Sequence, residues 1–168
     1  AMVRDDQGQK MSKTKGNVVD PLEVVESHGA DALRFTLAAL TVAGRDIKLS
    51  MDRVTGYRNF ANKVWNASRF ALMNLEDYDP NAERSGDLSP ADKWILTKLA
   101  QTTRDVDKAL EDFDFGGAAG QVYQFFWHQL CDWYIELSKV SLDGAGRAQT
   151  QHTLRLVLDG ALRLLHPF

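Results

Sequence analysis

The chain has 168 residues, of which 44% are hydrophobic and 26% charged, with a net charge of −3. This composition excludes disordered, collagen-like and low-complexity proteins, and the length suits a compact unit of roughly 100–200 residues. Its apolar stretches fall short of the ~18 apolar residues that a membrane span needs, residues 1–20 do not resemble a signal peptide, and Cys131 has no disulfide partner, so we expect a soluble cytoplasmic protein.

The first 19 residues are rich in lysine and glycine, which predicts a loop flanked by short extended pieces. Asp20 as N-cap, Pro21 at the first helical position and Glu23 three residues after the cap predict a helix that stops at Gly29. A second helix is predicted over about 30–42. Ser50 is the expected cap of a long third helix that continues to about residue 75.

Residues 76–88 contain Asp, Asn, Pro and Gly and predict a linker. Ser89 and Pro90 open a fourth helix that ends before Gly116, and two more helices are predicted over about 118–140 and 148–165. No strand longer than a few residues is expected. Amphipathic helices joined by short loops must cover one another's apolar stripes, so we predict an all-α antiparallel helical bundle preceded by a loop and two short connecting helices.

Three lysines, two hydroxyls and a glycine lie within seven residues, Lys10-Met11-Ser12-Lys13-Thr14-Lys15-Gly16. Ammonium groups bind phosphate oxygens as point charges, and hydroxyls and backbone amides complete the coordination. Residues 1–75 carry 11 basic and 8 acidic side chains, which is +3, whereas the other 93 carry 9 and 15, which is −6. The pattern indicates a phosphate-binding loop that an anionic partner approaches. The alternatives are a solvated surface loop and ordinary scatter of charge.

The third predicted helix has an aromatic residue on its polar side. At 100° per residue its buried seam would lie within about 60° of Ala61, comprising Val54, Tyr57, Val64, Trp65, Leu72 and Leu75. Phe70 falls on the opposite side with Asn59, Lys63 and Asn66. This side could contact another domain, or it could stack an unpaired base and bind phosphates.

Other candidate sites are weaker. The aromatic residues between 125 and 134 have helical spacing and predict bundle packing, as does Cys131. The four histidines are scattered, and no spacing typical of a metal site or a catalytic triad is present, so no metal ligand is predicted.

Several segments together resemble the class I aminoacyl-tRNA synthetases, in the subgroup that activates valine, isoleucine and leucine. Lys10 to Thr14 is similar to the second signature of that class, with Thr14 where serine is usual. Two further segments resemble this subgroup as a whole, Lys15-Gly16-Asn17-Val18-Val19-Asp20-Pro21-Leu22 and His28-Gly29-Ala30-Asp31-Ala32-Leu33-Arg34-Phe35. Two others, Gly44-Arg45-Asp46-Ile47 and Tyr57 to Phe70, resemble the valyl members more than their siblings. The similarity extends through Phe125-Phe126-Trp127 and Cys131-Asp132-Trp133-Tyr134 to the end of the chain.

The resemblance implies a use for the cationic loop. Lys13 would bind the pyrophosphate part of ATP while an adenylate forms, and Lys10 would assist, so these two are the expected catalytic residues. Ser12 and Thr14 would support the loop, and Met11 would pack against the nucleotide or beneath the loop. ATP and Mg²⁺ are implied for the intact enzyme only. The other family signature and the amino-acid pocket lie outside this chain, so we expect it to be inactive alone.

The resemblance also implies that residues 46–168 are a truncated anticodon-binding bundle, after residues 1–45 that end the catalytic domain. Phe70 would stack against anticodon bases, with polar contacts from Asn59, Lys63, Asn66 and Arg69. The expected partner is tRNA, of the valine isoacceptors, and the chain is expected to be monomeric. The alternatives are an isoleucyl or leucyl fragment, and a helical module that binds protein.

Overall fold

A computed structural model describes residues 2–82 and 88–168, so part of the predicted linker, residues 83–87, lies outside the described residues. The chain divides into two compact units. The first contains residues 1–62, 107–120 and 168, and the second contains 63–106 and 121–167. The predicted domain boundary after residue 45 stays a prediction.

The first unit begins with the loop and short helices that the sequence predicts. Strand β1, Val3–Arg4, pairs in parallel with β2, Ile47–Lys48, and helices α1, Pro21–His28, and α2, Ala30–Ala39, lie between them in the chain. Asp20 caps α1 by accepting a hydrogen bond from the Leu22 amide at 2.8 Å, and α1 ends before Gly29, whose φ is +88°. Helix α2 ends three residues before the predicted position.

Helix α3, Met51–Asn74, starts in the first unit and ends in the second. In the first unit its Val54 joins Val24, Ala32 and Leu49 in a buried apolar cluster. Helix α5, Phe115–Gln124, also begins in this unit. A Cβ on Gly116 would lie 2.2 Å from the carbonyl oxygen of Thr41. Only glycine allows the backbone to approach this closely.

The second unit contains the end of α3, most of α4, Pro90–Glu111, a π-helical segment, Phe125–Ile135, and helices α6, Glu136–Leu142, and α7, Arg147–Leu165. Lys63 meets Asp132 and Phe70 meets Lys139, so α3 runs in the same direction as the π-helical segment and α6. Gln151, near the start of α7, donates to the carbonyl of Asn74 at the end of α3. These pairs are those of an up-and-down bundle, in which consecutive helices are antiparallel.

The π-helical segment differs from the single α-helix predicted over 118–140. Helical structure is continuous from Phe115 to Leu142, but residues 125–135 have the wider turn of a helix with i→i+5 hydrogen bonds. Side chains five residues apart therefore share a face there, whereas in an α-helix they are about 140° apart. The sequence predicts a single buried stripe on this helix, consisting of Val122, Phe126, Leu130, Trp133, Leu137 and Val140. The first three are buried as predicted, whereas the last three are exposed.

The predicted seam of α3 is wrong in two residues. Trp65 is 66% exposed and Leu72 is 63% exposed, whereas Val54, Phe60, Ala67 and Ala71 are buried. The buried face is thus rotated by about a quarter turn from the predicted one. The physical reason is that small alanines allow neighbouring helices to approach closely, so they occupy the contact in place of the large side chains.

Among the described residues, no helix is long and apolar enough to cross a membrane.

Candidate functional site

The loop from Lys10 to Gly16 contains a single turn of 3₁₀ helix, Lys13–Lys15. Ser12 begins this turn, and its hydroxyl accepts a hydrogen bond from the Lys15 amide at 3.3 Å. Gly16 ends it with φ +67°, and its amide donates to the Lys13 carbonyl at 3.2 Å. Because left-handed backbone suits glycine, Gly16 lets the chain turn back directly after the lysines.

Asn17 closes the loop, a role that the sequence reasoning missed. Its side-chain oxygen accepts from the Ser12 amide at 2.9 Å, and its Nδ2 donates to the Asp5 carboxylate at 2.8 Å and to the Lys10 carbonyl at 3.3 Å. The hydrogen bond from Asn17 makes the largest contribution to holding the pKa of Asp5 below its usual value. The sequence offered one signal for this role, an asparagine directly after a lysine-rich turn that ends in glycine.

The predicted ligand groups of the loop are accessible. Lys10, Lys13 and Thr14 are exposed, and Ser12 is half-buried. Met11 packs against the cluster of Val24, Ala32, Leu49 and Val54, which agrees with the alternative that it lies beneath the loop. Ammonium groups and hydroxyls at this spacing suit phosphate oxygens. Among the described residues, no group of three or more His, Cys, Asp or Glu is arranged to hold a metal ion.

The five residues predicted to bind RNA on α3 differ in exposure. Asn59, Asn66 and Arg69 are exposed. Lys63 and Phe70 are half-buried on the flank that meets the π-helical segment and α6. The expectation that Phe70 points to solvent on the outer face is therefore wrong in that detail. The exposed aromatic side chain of this helix is Trp65, at 66% exposure.

Lys63 lies at the centre of a charged and aromatic cluster in the second unit. Its Nζ donates to Oδ1 of Asp132 at 2.8 Å and lies 4.9 Å from the centre of the Trp127 ring. Asp132 also forms a hydrogen bond with Nδ1 of His128, at 3.1 Å through Oδ2. The hydrogen bond from Lys63, followed by that from His128, holds the pKa of Asp132 below its usual value. Asp132 is thus an ionised carboxylate at neutral pH.

A second cation–aromatic contact lies further along, seven residues after Lys63 on α3 and twelve residues after Trp127 on the facing side. Nζ of Lys139 lies 5.9 Å from the centre of the Phe70 ring. We call the surface formed by Lys63, Phe70, Trp127, Asp132 and Lys139 the α3–α6 strip. Accessible rings beside ammonium groups can stack unpaired bases and bind their phosphates.

The sequence reasoning found only the α3 half of this strip. It assigned Trp127 to bundle packing with the neighbouring aromatic residues. That prediction is confirmed for Phe125, Phe126 and Tyr134, which are buried, but it is wrong for Trp133, which is 62% exposed, and Trp127 is half-buried beside Lys63. Cys131 is buried as predicted, and burial raises the pKa of its thiol to about 12. An inert core thiol is the expected result.

Two protein families match separate parts of the chain. The family described as tRNA synthetases class I (I, L, M and V) matches residues 1–50. The family described as the anticodon-binding domain of tRNA ligase matches residues 92–168. The first range contains the cationic loop, and the second contains the π-helical segment and α6.

Relatives resemble the chain over its whole length. Valine–tRNA ligases of Syntrophotalea carbinolica and Geobacter sulfurreducens are 58% and 56% identical over 99% and 100% of the chain, which covers 19% and 20% of their lengths. The chain therefore spans about a fifth of the length of these relatives. A similar solved structure is the crystal structure of a ternary complex of Agrobacterium radiobacter K84 agnB2 LeuRS, tRNA and LeuAMS, with TM-score 0.74 and 26% identity over 99% of this chain and 20% of that one.

Proposed function

We propose that this chain, which belongs to the class I tRNA synthetase family, is the anticodon-binding part of a valine–tRNA ligase together with the loop that precedes it. The intact enzyme would join valine to its tRNA at the expense of ATP. Identities of 50–58% with valine–tRNA ligases over essentially the whole chain favour valine over isoleucine and leucine. The family resemblance also suggests a cytoplasmic protein.

The observation that carries RNA binding is the α3–α6 strip. Two ammonium groups lie beside two half-buried aromatic rings, at 4.9 Å for Lys63 and Trp127 and 5.9 Å for Lys139 and Phe70. An RNA loop with unpaired bases presents both π-faces and phosphates, which rings and ammonium groups of this strip can bind together. We propose that Asn59, Asn66 and Arg69 add polar contacts from the exposed face of α3.

The cationic loop would act on ATP in the intact enzyme. Lys13, assisted by Lys10, would neutralise the pyrophosphate part, and Ser12 and Thr14 would support the loop. ATP supplies the activated phosphate, and Mg²⁺ would reach this loop on the nucleotide's own phosphates, because Mg²⁺ is commonly held by substrate phosphates and water. The loop itself contributes charge and position rather than covalent chemistry.

The isolated chain should bind tRNA and should not catalyse. We expect weak and salt-sensitive binding by a monomer, since few phosphates are neutralised and residues 76–168 carry a charge of −6, from 9 basic and 15 acidic side chains. Filter binding at low salt to valine and isoleucine tRNAs tests this function. Preference for the valine tRNA, with nuclease protection centred on the anticodon stem and loop, is expected. Preference for the isoleucine tRNA would favour an isoleucyl relative, and a protein-binding module would ignore both tRNAs.

Phe70 is tested against Trp65, the exposed aromatic residue on another face of α3. Stacking contributes about 1–3 kcal/mol per base, so Phe70→Ala should weaken tRNA binding by about fivefold or more. Because Phe70 is half-buried, the melting temperature must be measured alongside, and Phe70→Leu separates packing from stacking by keeping most of the apolar volume. Trp65→Ala should leave binding nearly unchanged. An equal effect of both alanine variants would mean that the site lies elsewhere.

Absence of catalysis has its own measurement. Valine-dependent exchange between pyrophosphate and ATP should not rise above that of Lys13→Ala when the purified 168-residue chain is assayed. Exchange above this control would show that the chain forms the adenylate alone.

A further inference from the structure

The α3–α6 strip contains a carboxylate, a group that is not expected on a surface that binds only phosphates. Asp132 lies between Lys63 and His128, with 38% of its side chain exposed. A surface built only for phosphates would lose affinity from this charge, because like charges repel and Lys63 is partly neutralised. Aspartate is suited instead to the edge of a base, where it accepts hydrogen bonds from amino groups.

The ionised carboxylate has the capacity for a further partner. It offers about four acceptor positions, and Lys63 and His128 use one position on each oxygen. An ionised carboxylate cannot donate, so it is matched to the exocyclic amino group of cytosine, adenine or guanine, whereas uracil places a carbonyl oxygen at that position and offers only its N3–H as a donor. A carboxylate held in place by two side chains also loses little freedom when a base arrives.

The π-helical winding brings an aromatic ring to the same place. Trp127 and Asp132 are five residues apart, which in an α-helix would separate them by about 140°. In the π-helical segment both contact Lys63, at 4.9 Å from the ring centre and 2.8 Å from Oδ1. Wide helical turns of this kind occur frequently at functional sites. One cation, one ring and one acceptor therefore converge on a single part of the strip.

We propose that Asp132 is a specificity-determining residue that accepts a hydrogen bond from the amino group of an unpaired base in the bound RNA and thereby selects against uracil. Lys63 and His128 position its carboxylate, and Lys63 also contacts the neighbouring phosphate. The proposal rests on the proposed function, since it requires that tRNA bind along the α3–α6 strip. It assigns base selection to the π-helical segment as well as to α3.

The test uses the full 168-residue chain and valine tRNA transcripts in which each anticodon-loop nucleotide with an amino group is replaced in turn by uracil. At one position, replacement should weaken binding to the wild-type chain by about tenfold, the effect of one lost base contact. Asp132→Asn should reduce this penalty to about threefold or less, because an amide can donate to the O4 atom of uracil. Asp132→Glu keeps an acceptor-only group and should keep a preference against uracil.

The matched control is Asp159→Asn, which removes the same charge from an exposed pair with Arg163 on α7, at 2.9 Å, and should keep the full penalty. If Asp132 only holds or neutralises Lys63, Asp132→Asn will change the affinity for every transcript by the same factor and leave the penalty intact, which overturns the inference alone. A wild-type chain that binds tRNA with no penalty at any position overturns it as well. Failure of the wild-type chain to bind any transcript overturns both this inference and the proposed function.

Discussion

Replacing Tyr134 by phenylalanine should destabilise the second unit by removing one hydroxyl from its interior. Tyr134 is completely buried and Asp92 is 2% exposed. The tyrosine Oη donates to Oδ1 of Asp92 at 2.7 Å, and the Ser89 hydroxyl donates to Oδ2 at 2.7 Å. In Tyr134→Phe the ring remains, but a buried carboxylate oxygen loses its donor.

The magnitude follows from the partner's charge. A hydrogen bond to a charged group contributes about 1.5–3 kcal/mol, and a neutral one about 0.5–1.5 kcal/mol. We expect the free energy of unfolding to fall by about 2 kcal/mol in Tyr134→Phe. Tyr78→Phe is the matched control, because Tyr78 bonds with a half-buried histidine, His152, at 2.8 Å. The free energy of unfolding should fall by about half as much in Tyr78→Phe as in Tyr134→Phe.

The assay is urea unfolding at neutral pH, followed by circular dichroism, with both variants and the wild type. A loss below about 0.5 kcal/mol in Tyr134→Phe, or a larger loss in Tyr78→Phe, would refute the argument that this pair is buried and charged. A second measurement uses alkaline pH. Burial, followed by the hydrogen bond to Asp92, raises the pKa of Tyr134 above its usual value. The stability that the protonated Tyr134 hydroxyl adds is complete below the unfolded pKa of about 10 and is lost as pH rises beyond it. Above that pH the wild type should therefore lose more stability than Tyr134→Phe.

Two further predictions concern other parts of the chain. Gly116→Ala should lower stability by about 1–3 kcal/mol, because the added Cβ would meet a backbone carbonyl at 2.2 Å. Gly120→Ala, in the same helix with no atom within 4 Å of the added group, should be neutral or stabilising by up to about 1 kcal/mol in thermal melts; an equal loss in both would contradict the close approach. The Arg147 hydrogen bond is the first cause that lowers the pKa of Asp77 to about 2. The stability that this ionised pair adds is complete above the unfolded pKa of about 3.9 and is lost as pH falls towards 2. Asp77→Asn should therefore flatten the fall of the urea midpoint at acid pH. An unchanged slope would rule out this pair as the source of the acid dependence.

Local signals in the sequence predicted most helix ends correctly. The Asp20 cap, the proline after it and Gly29 fix α1 through contacts within a few residues, and Ser89 with Pro90 does the same for α4. Such caps depend on hydrogen bonds between near neighbours in the chain, so they can be recognised without knowing the fold.

The candidate site was only half visible in the sequence. A helical wheel separates apolar from polar residues by size and polarity, and it put Trp65 in the core and Phe70 in solvent. Packing reversed part of this pattern, since Ala67 and Ala71 form the contact of α3 and leave Trp65 66% exposed. Which residues of a helix become buried depends on how closely its neighbours can approach, and that distance is a property of all the packed helices together.

The sequence by itself determined the all-α class, the positions of the helices, the lysine-rich loop and the resemblance to a family, because these depend on local patterns and on motifs read in order. The tertiary structure alone decided which residues accompany α3 in the α3–α6 strip. Trp127 and Asp132 meet Lys63 across 64 and 69 positions of sequence, and they share a face only because the π-helical segment has a wider turn than the α-helix that the sequence predicted.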